Sequence, residues 1–193
     1  MFSEVQPRKF KFFLRVIFVS TFSLLWLSMP AAAQTERVLI LHTNDIHDHV
    51  RPGYIGIGGL PYVSGFVNAV RAERDDVLVL DAGDALEKGD LLSYRTNGRS
   101  TYEAMAQVGY DAITIGNHDL DFGIGHLRNI EENVLSQRFV LLNLIEPSGD
   151  PIFTPSRIVN VDGVRVGIIG MISPRGPAFG GVDLAESGEM LAE

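Results

Sequence analysis

Gly116-Asn117-His118-Asp119-Leu120-Asp121 is the stretch on which the reading of this chain turns. It follows the short run Ala112-Ile113-Thr114-Ile115 and leads into Phe122-Gly123. An apolar run closed by a glycine predicts a buried strand, extending to Asn117, that delivers its last residues to one edge of a sheet. What it delivers is an amide, an imidazole and two carboxylates. Such groups bind a hard or borderline metal ion, pass a proton and orient the proton carrier. Polar clusters after strands are ordinarily just loops. The weight of this one comes from two earlier strand ends of the same kind.

Working back along the chain, Val77-Leu78-Val79-Leu80 predicts a buried strand ending in Asp81-Ala82-Gly83-Asp84. Before it, Val38-Leu39-Ile40-Leu41 is a continuous apolar run, the pattern of a strand covered on both faces. It opens into His42-Thr43-Asn44-Asp45-Ile46-His47. Between these strands the periodicity predicts a helix over about 60–74. A second helix, capped by Ser100 with Glu103 in the capping-box position, is predicted to run to Val108 and stop at Gly109. The alternation β-loop-α-β-loop-α-β predicts a parallel sheet. Equivalent ends of parallel strands share the carboxyl edge where ligands gather, so Asp45, His47, Asp84, Asn117 and His118 are expected to converge. Downstream, a helix is predicted over about 124–136 and a strand at Phe139–Leu142. A hairpin is predicted with Asp162-Gly163 at its turn, and a further helix starts at Asp183.

Each site residue has an ordinary use when taken alone. Asp84 suits a helix cap, Asn117 a turn, and a lone Asp45-x-His47 pair carries little weight. His42 is expected to be packed or to support a ligand from behind, and His49 and His126 to lie on the surface. Three strands of one sheet that all end in metal-ligating residue types are much harder to obtain by accident.

Composition narrows the chemistry. The first 33 residues combine a basic lead (Arg8, Lys9, Lys11, Arg15), an apolar core over 16–27 and an Ala31-Ala32-Ala33 exit. That is the pattern of a secretory signal peptide cleaved after Ala33, so an exported protein, periplasmic or extracellular, is expected; the membrane enters only through this signal. Without that segment the chain has 12 basic and 23 acidic residues, a formal charge of −11. Such a surface is a poor partner for nucleic acid, although bound divalent cations reverse the sign locally. There is no cysteine, which removes disulfides, zinc–thiolate sites and cysteine nucleophiles. No P-loop or G-x-S-x-G is present, and the glycines at 56–59 do not follow a strand as a dinucleotide loop requires.

Asn44-Asp45-Ile46-His47, Gly83-Asp84 and Gly116-Asn117-His118-Asp119 resemble the three opening motifs of the calcineurin-like metallophosphoesterases. Their context is similar to the 5′-nucleotidase and UDP-sugar hydrolase branch, as is Val164-Arg165-Val166-Gly167-Ile168-Ile169-Gly170; the likeness covers about 36–175. It implies an α/β fold, the start of an α/β/β/α sandwich with a mainly parallel sheet. It also implies hydrolysis of phosphate esters such as nucleotides, with two divalent ions (Mn, Zn, Fe, Co or Mg) generating a hydroxide that attacks phosphorus. Asp45 and His47 would bind the first ion, Asp84 both, and Asn117 the second. His118 would act on the substrate, supported by Asp121; the rival assignment makes His118 a ligand. Sulfur-ester hydrolysis falls within the same resemblance.

The family completes its site with later histidines, whereas here the histidines are 42, 47, 49, 118 and 126. The expectation is therefore that 34–193 form the N-terminal part of a metallophosphoesterase domain, lacking the later ligands and the C-terminal substrate-binding domain. Such a chain is either half of a phosphoesterase site or a catalytically inactive remnant that binds a single metal weakly.

Overall fold

The computed structural model describes residues 36–87, 89–173 and the backbone of 183–184. The signal-peptide expectation and the rest of the expected C-terminal helix lie outside these residues. In chain order the elements are β1 (Leu39–Thr43), α1 (Leu60–Glu73), β2 (Val77–Asp81), α2 (Leu91–Arg95) and α3 (Arg99–Val108). Then come β3 (Ala112–Ile113), a 3₁₀ turn (His118–Phe122), α4 (Ile124–Ile130) and a π turn (Glu131–Leu135). The last are β4 (Leu144–Ile145), β5 (Ser156–Val161), β6 (Val164–Ile169) and β7 (Asp183–Leu184).

The expected parallel sheet is present. β1 runs parallel to β2, from Leu39 opposite Val77 to Thr43 opposite Asp81, and β2 runs parallel to β3. The strand expected to reach Asn117 ends at Ile113, and the run 139–142 contributes only bridges, Ile113 with Phe139 and Val140 with Thr154. β5 and β6 form the hairpin, with Asp162 and Gly163 both at positive φ, as a tight two-residue turn requires. Asp183 begins no helix. With Leu184 it pairs antiparallel to β4, the register placing Leu144 opposite Leu184.

α1 opens with proline in its first turn and buries Leu60 and Val67. The core cluster joins these to Val77, Val79, Met105, Val108, Ile113, Leu127 and Phe139. β1 departs from expectation in being half open. Leu39 and Leu41 pack against the core, but Ile40 is 52% exposed and His42 is exposed rather than packed. Ile40, His42, Leu80, Ile168 and Ile169 line an open cavity of about 380 Å³ on that face.

α3 also starts differently. Gly98, at φ 77°, is its N-cap; Ser100 lies in the first turn and gives its N–H to Thr96 Oγ1 at 3.2 Å. Glu103 instead pairs with Arg99 at 2.8 Å. A Cβ at Gly98 would lie 2.5 Å from Leu86 Cδ2, so packing claims this position before capping chemistry does. α2 was not anticipated; Asp90 caps it by accepting the Leu92 N–H at 2.8 Å.

Candidate metal centre

The loops after β1 and β2 are zipped together by their backbones. Ala82 donates to Thr43 O (2.8 Å), Asp45 to Gly83 O (2.9 Å), His47 to Asp84 O (3.1 Å) and Asp48 to Ala85 O (2.8 Å). Asp45, His47, Asp48 and Asp84 all sit at positive φ, between 45° and 59°. Non-glycine residues rarely adopt that region, and such outliers gather where function constrains the backbone. Gly83 and Gly116 allow the loops after β2 and β3 to touch. A Cβ on Gly83 would come within 2.6 Å of the Gly116 nitrogen, and one on Gly116 within 2.1 Å of Asp84 Oδ1.

Three buried carboxylates, none proposed as a ligand, hold this framework. Asp119 Oδ2 accepts the N–H groups of Asp84 (2.9 Å) and Gly116 (2.8 Å). Its Oδ1 accepts from Leu86 N–H (3.1 Å) and Tyr102 OH (2.9 Å). Burial outweighs these bonds and raises its pKa to about 6. Asp48 accepts from Glu87 N–H (2.9 Å), Thr101 Oγ1 (2.5 Å) and the Ser93 hydroxyl. Asp81, at the end of β2, accepts from Thr43 Oγ1 (2.6 Å) and Gly83 N–H (3.0 Å), and burial pushes its pKa up to about 7.

On this base the structure gathers donor atoms of Asp45, His47 and Asp84 within 4.8 Å of one another. His47 Nε2 lies 3.2 Å from Asp45 Oδ1. The Asn44 side-chain amide, and after it His47, hold the Asp45 carboxyl below the usual aspartate range. A second group overlaps the first: His47, Glu87 and His118 also have donor atoms within 4.8 Å. The His118 ring stands edge-on to His47 with centroids 5.1 Å apart, and its backbone N–H is donated to Asp84 Oδ1 at 2.9 Å. Asn117 is exposed between Gly116 and His118, the two residues that touch the Asp84 carboxylate. Asp121 is exposed in the 3₁₀ turn. His49 is exposed as expected, whereas His126 is partly buried against Phe122, with centroids 5.9 Å apart.

Two carboxylates and an imidazole this close form a donor set that fits a divalent cation. An added positive charge also relieves the repulsion between Asp45 and Asp84. Glu87 is a residue that sequence reasoning missed; it stands three positions beyond Asp84, and that nearness was the available signal. Asp119 was displayed in the third motif, but its role in tying the loops was not.

The calcineurin-like phosphoesterase family model matches residues 38–173. The 5′-nucleotidase of Mus musculus is 31% identical over 163 residues, covering 77% of this chain and 28% of that protein. A probable 5′-nucleotidase of Treponema pallidum is 34% identical over 158 residues, 74% of this chain and 26% of that one. Among solved structures, a 5′-nucleotidase precursor from Thermus thermophilus superposes with a TM-score of 0.66 at 30% identity, covering 80% of this chain and 33% of that chain. A sulfate thiohydrolase, SoxB, shares the fold at TM-score 0.69 and 18% identity. The chain thus spans about 26–28% of the length of these two curated relatives. With a family match over most of its length and the three strand-end motifs drawn together, this chain belongs to the calcineurin-like phosphoesterases.

Proposed function

We propose that this chain carries the divalent-metal part of a site that hydrolyses phosphate monoesters, with nucleotides as the preferred class. The observation that carries this reading is the convergence of Asp45, His47 and Asp84 donor atoms within 4.8 Å, with His118 beside them. In this reading Asp45 and His47 would hold a first ion, Asp84 would contribute to both and Asn117 would contribute to the second. Bound divalent ions supply charge neutralisation at the phosphoryl oxygens and a nucleophile at neutral pH.

The chain's own residues supply the rest. His118 lies outside the Asp45–His47–Asp84 group. Its ring is assigned to the phosphoryl oxygens and to proton delivery at the leaving alkoxide. Asp121 follows three residues later in a 3₁₀ turn, where positions i and i+3 eclipse, so it shares a side with His118 and can orient that ring. Asp84 is tied at its N–H by Asp119 and at Oδ1 by His118, which fixes the carboxylate before any ligand arrives. The relatives named as 5′-nucleotidases support the substrate class. The pattern of residues 1–33 supports export, and so does the Thermus relative's description as a precursor.

The test is Mn²⁺-dependent hydrolysis of p-nitrophenyl phosphate and AMP. Asp84→Ala should abolish turnover, and His118→Ala should lower kcat about 10²–10⁴-fold with metal binding kept. Unchanged turnover in both variants refutes the assignment. One observation favours a second reading, a single-ion binder without turnover: among the described residues the two groups of donor atoms both contain His47, so they overlap rather than stand side by side. A Mn²⁺ stoichiometry of one rather than two per chain, with no hydrolysis, decides for it.

A further inference from the structure

We infer that Glu87 is a positioning residue for His47: its carboxylate accepts a hydrogen bond from the Nδ1–H of the ring, which keeps the proton there and leaves Nε2, on the Asp45 side, as the nitrogen free to bind a cation. The inference rests on the metal-ligand reading of His47 and adds a residue that reading does not contain.

A neutral imidazole carries one proton, and only its other nitrogen can bind a cation. The group facing the protonated nitrogen decides which is which. Both nitrogens of His47 face carboxylates. Nε2 forms a hydrogen bond with Asp45 Oδ1 at 3.2 Å, a bond that a cation shared by Asp45, His47 and Asp84 would replace. Nδ1 is closed off from solvent and makes no aligned hydrogen bond, yet Glu87 Oε2 lies 2.8 Å away. The Glu87 side chain is 52% exposed, so its carboxylate can rotate onto the Nδ1–H axis without any movement of the backbone. For Asp45, His47 and Asp84 to share a cation the proton must be on Nδ1, and Glu87 is the acceptor beside it.

The backbone around this pair is fixed. Asp48, adjacent to His47, is 1% exposed and accepts the Glu87 N–H at 2.9 Å, so one buried residue sets the distance between the two loops. Gly89 continues the constraint, since a Cβ there would lie 2.5 Å from His47 O. The His118 ring, edge-on at 5.1 Å, walls the remaining side. Glu87 is therefore held where an orienting carboxylate is needed, while its tip keeps the freedom to align. The competing role is direct ligation, because donor atoms of His47, Glu87 and His118 also gather within 4.8 Å.

Two measurements on the full chain test the inference. The first is the ¹⁵N–¹H two-bond spectrum of the histidine rings at pH 8 with chelator present, with His47 assigned by its loss in His47→Asn. The second is Mn²⁺ titration calorimetry. The wild type should show the Nδ1–H tautomer at His47. Glu87→Ala should shift the population toward Nε2–H and weaken Mn²⁺ binding about 10–100-fold, while Glu87→Gln, which keeps an acceptor oxygen, should lose about 3-fold or less. Three results would overturn the inference: an Nε2–H tautomer in the wild type, spectra and affinity unchanged in Glu87→Ala, or Glu87→Gln as damaging as Glu87→Ala, which would make Glu87 a direct ligand. If the wild type binds no Mn²⁺ while the tautomer still follows Glu87, the metal reading fails and the positioning role stands.

Discussion

Asp119 and Asp121 sit two residues apart in one 3₁₀ turn and do opposite things. Asp119 is fully buried and collects four donors from the loops after β2 and β3 and from α3; Asp121 is exposed. Removing the Asp119 carboxylate strands buried N–H groups, each costing about 1–3 kcal/mol. Asp119→Ala should therefore lower stability by roughly 3 kcal/mol or more in urea unfolding, whereas Asp121→Ala should cost about 0.5 kcal/mol or less. Equal losses in the two variants would contradict this division of labour. The stretch at 116–121 displayed both carboxylates but not their division, because the difference lies in which side of a tight turn faces inward. Asp81 has a consequence for pH. Its folded-state pKa of about 7 lies above the ordinary 3.8, so the folded protein retains a proton that the unfolded chain has released. That stability is fully present below about pH 4 and is lost as pH rises through about 7. Metal-free protein should lose stability over this window through Asp81, and Asp81→Asn should flatten the slope. The mutant amide can donate to Thr43 Oγ1, whose hydroxyl can then donate to Tyr110 OH at 2.6 Å. An unaltered slope in urea midpoints across pH 5–7.5 would contradict the assignment.

At the scale of elements, the contacts between the loops depend on where glycine stands. Gly116→Ala places a Cβ 2.1 Å from Asp84 Oδ1, so the carboxylate must leave the donor group. Mn²⁺ affinity should fall about 10-fold or more, judged by what displaced partners cost elsewhere. The contrasting glycine is Gly65, exposed in α1 with nothing within 4 Å of an added Cβ. Gly65→Ala should stabilise the protein by roughly 0.5–1 kcal/mol and leave metal binding untouched. The opposite pattern would place the contact between the loops elsewhere. The long elements were legible in the sequence: α1, β2, the Asp162-Gly163 hairpin and the Gly109 stop all follow from local periodicity and turn chemistry. The short ones were not. β3 stops after two residues because beyond Thr114, whose N–H still bonds Asp81 O, the backbone leaves the sheet and brings Gly116 against Asp84. α3 has Gly98 as its N-cap because Leu86 fills the space where a side chain would sit. Both are decisions made by tertiary contact.

Over the described residues as a whole, one face of the sheet carries the core while the other is covered at its centre and open at its edge. Ile40 and Leu78 are register partners on the parallel pair, yet Ile40 is 52% exposed and Leu78 is 0% exposed. Leu78→Ala should therefore cost roughly 2–5 kcal/mol and Ile40→Ala well under half of that, measured by thermal or urea unfolding. Comparable losses would mean that β1 is as covered as its apolar run suggests. A four-residue hydrophobic run identifies a strand but carries no record of whether its second face is occupied, which is why the sequence overstated the burial of β1. The convergence of the strand ends, by contrast, was foreseeable, because parallel strands joined by crossovers deliver equivalent positions to one edge. That convergence is the central claim, and Mn²⁺ titration of the wild type against Asp84→Ala tests it most directly. Saturable binding by the wild type is expected, with a loss of about 100-fold or more in the variant, since the proposed reading has Asp84 contribute to both ions. Equal affinity in the two proteins would contradict it.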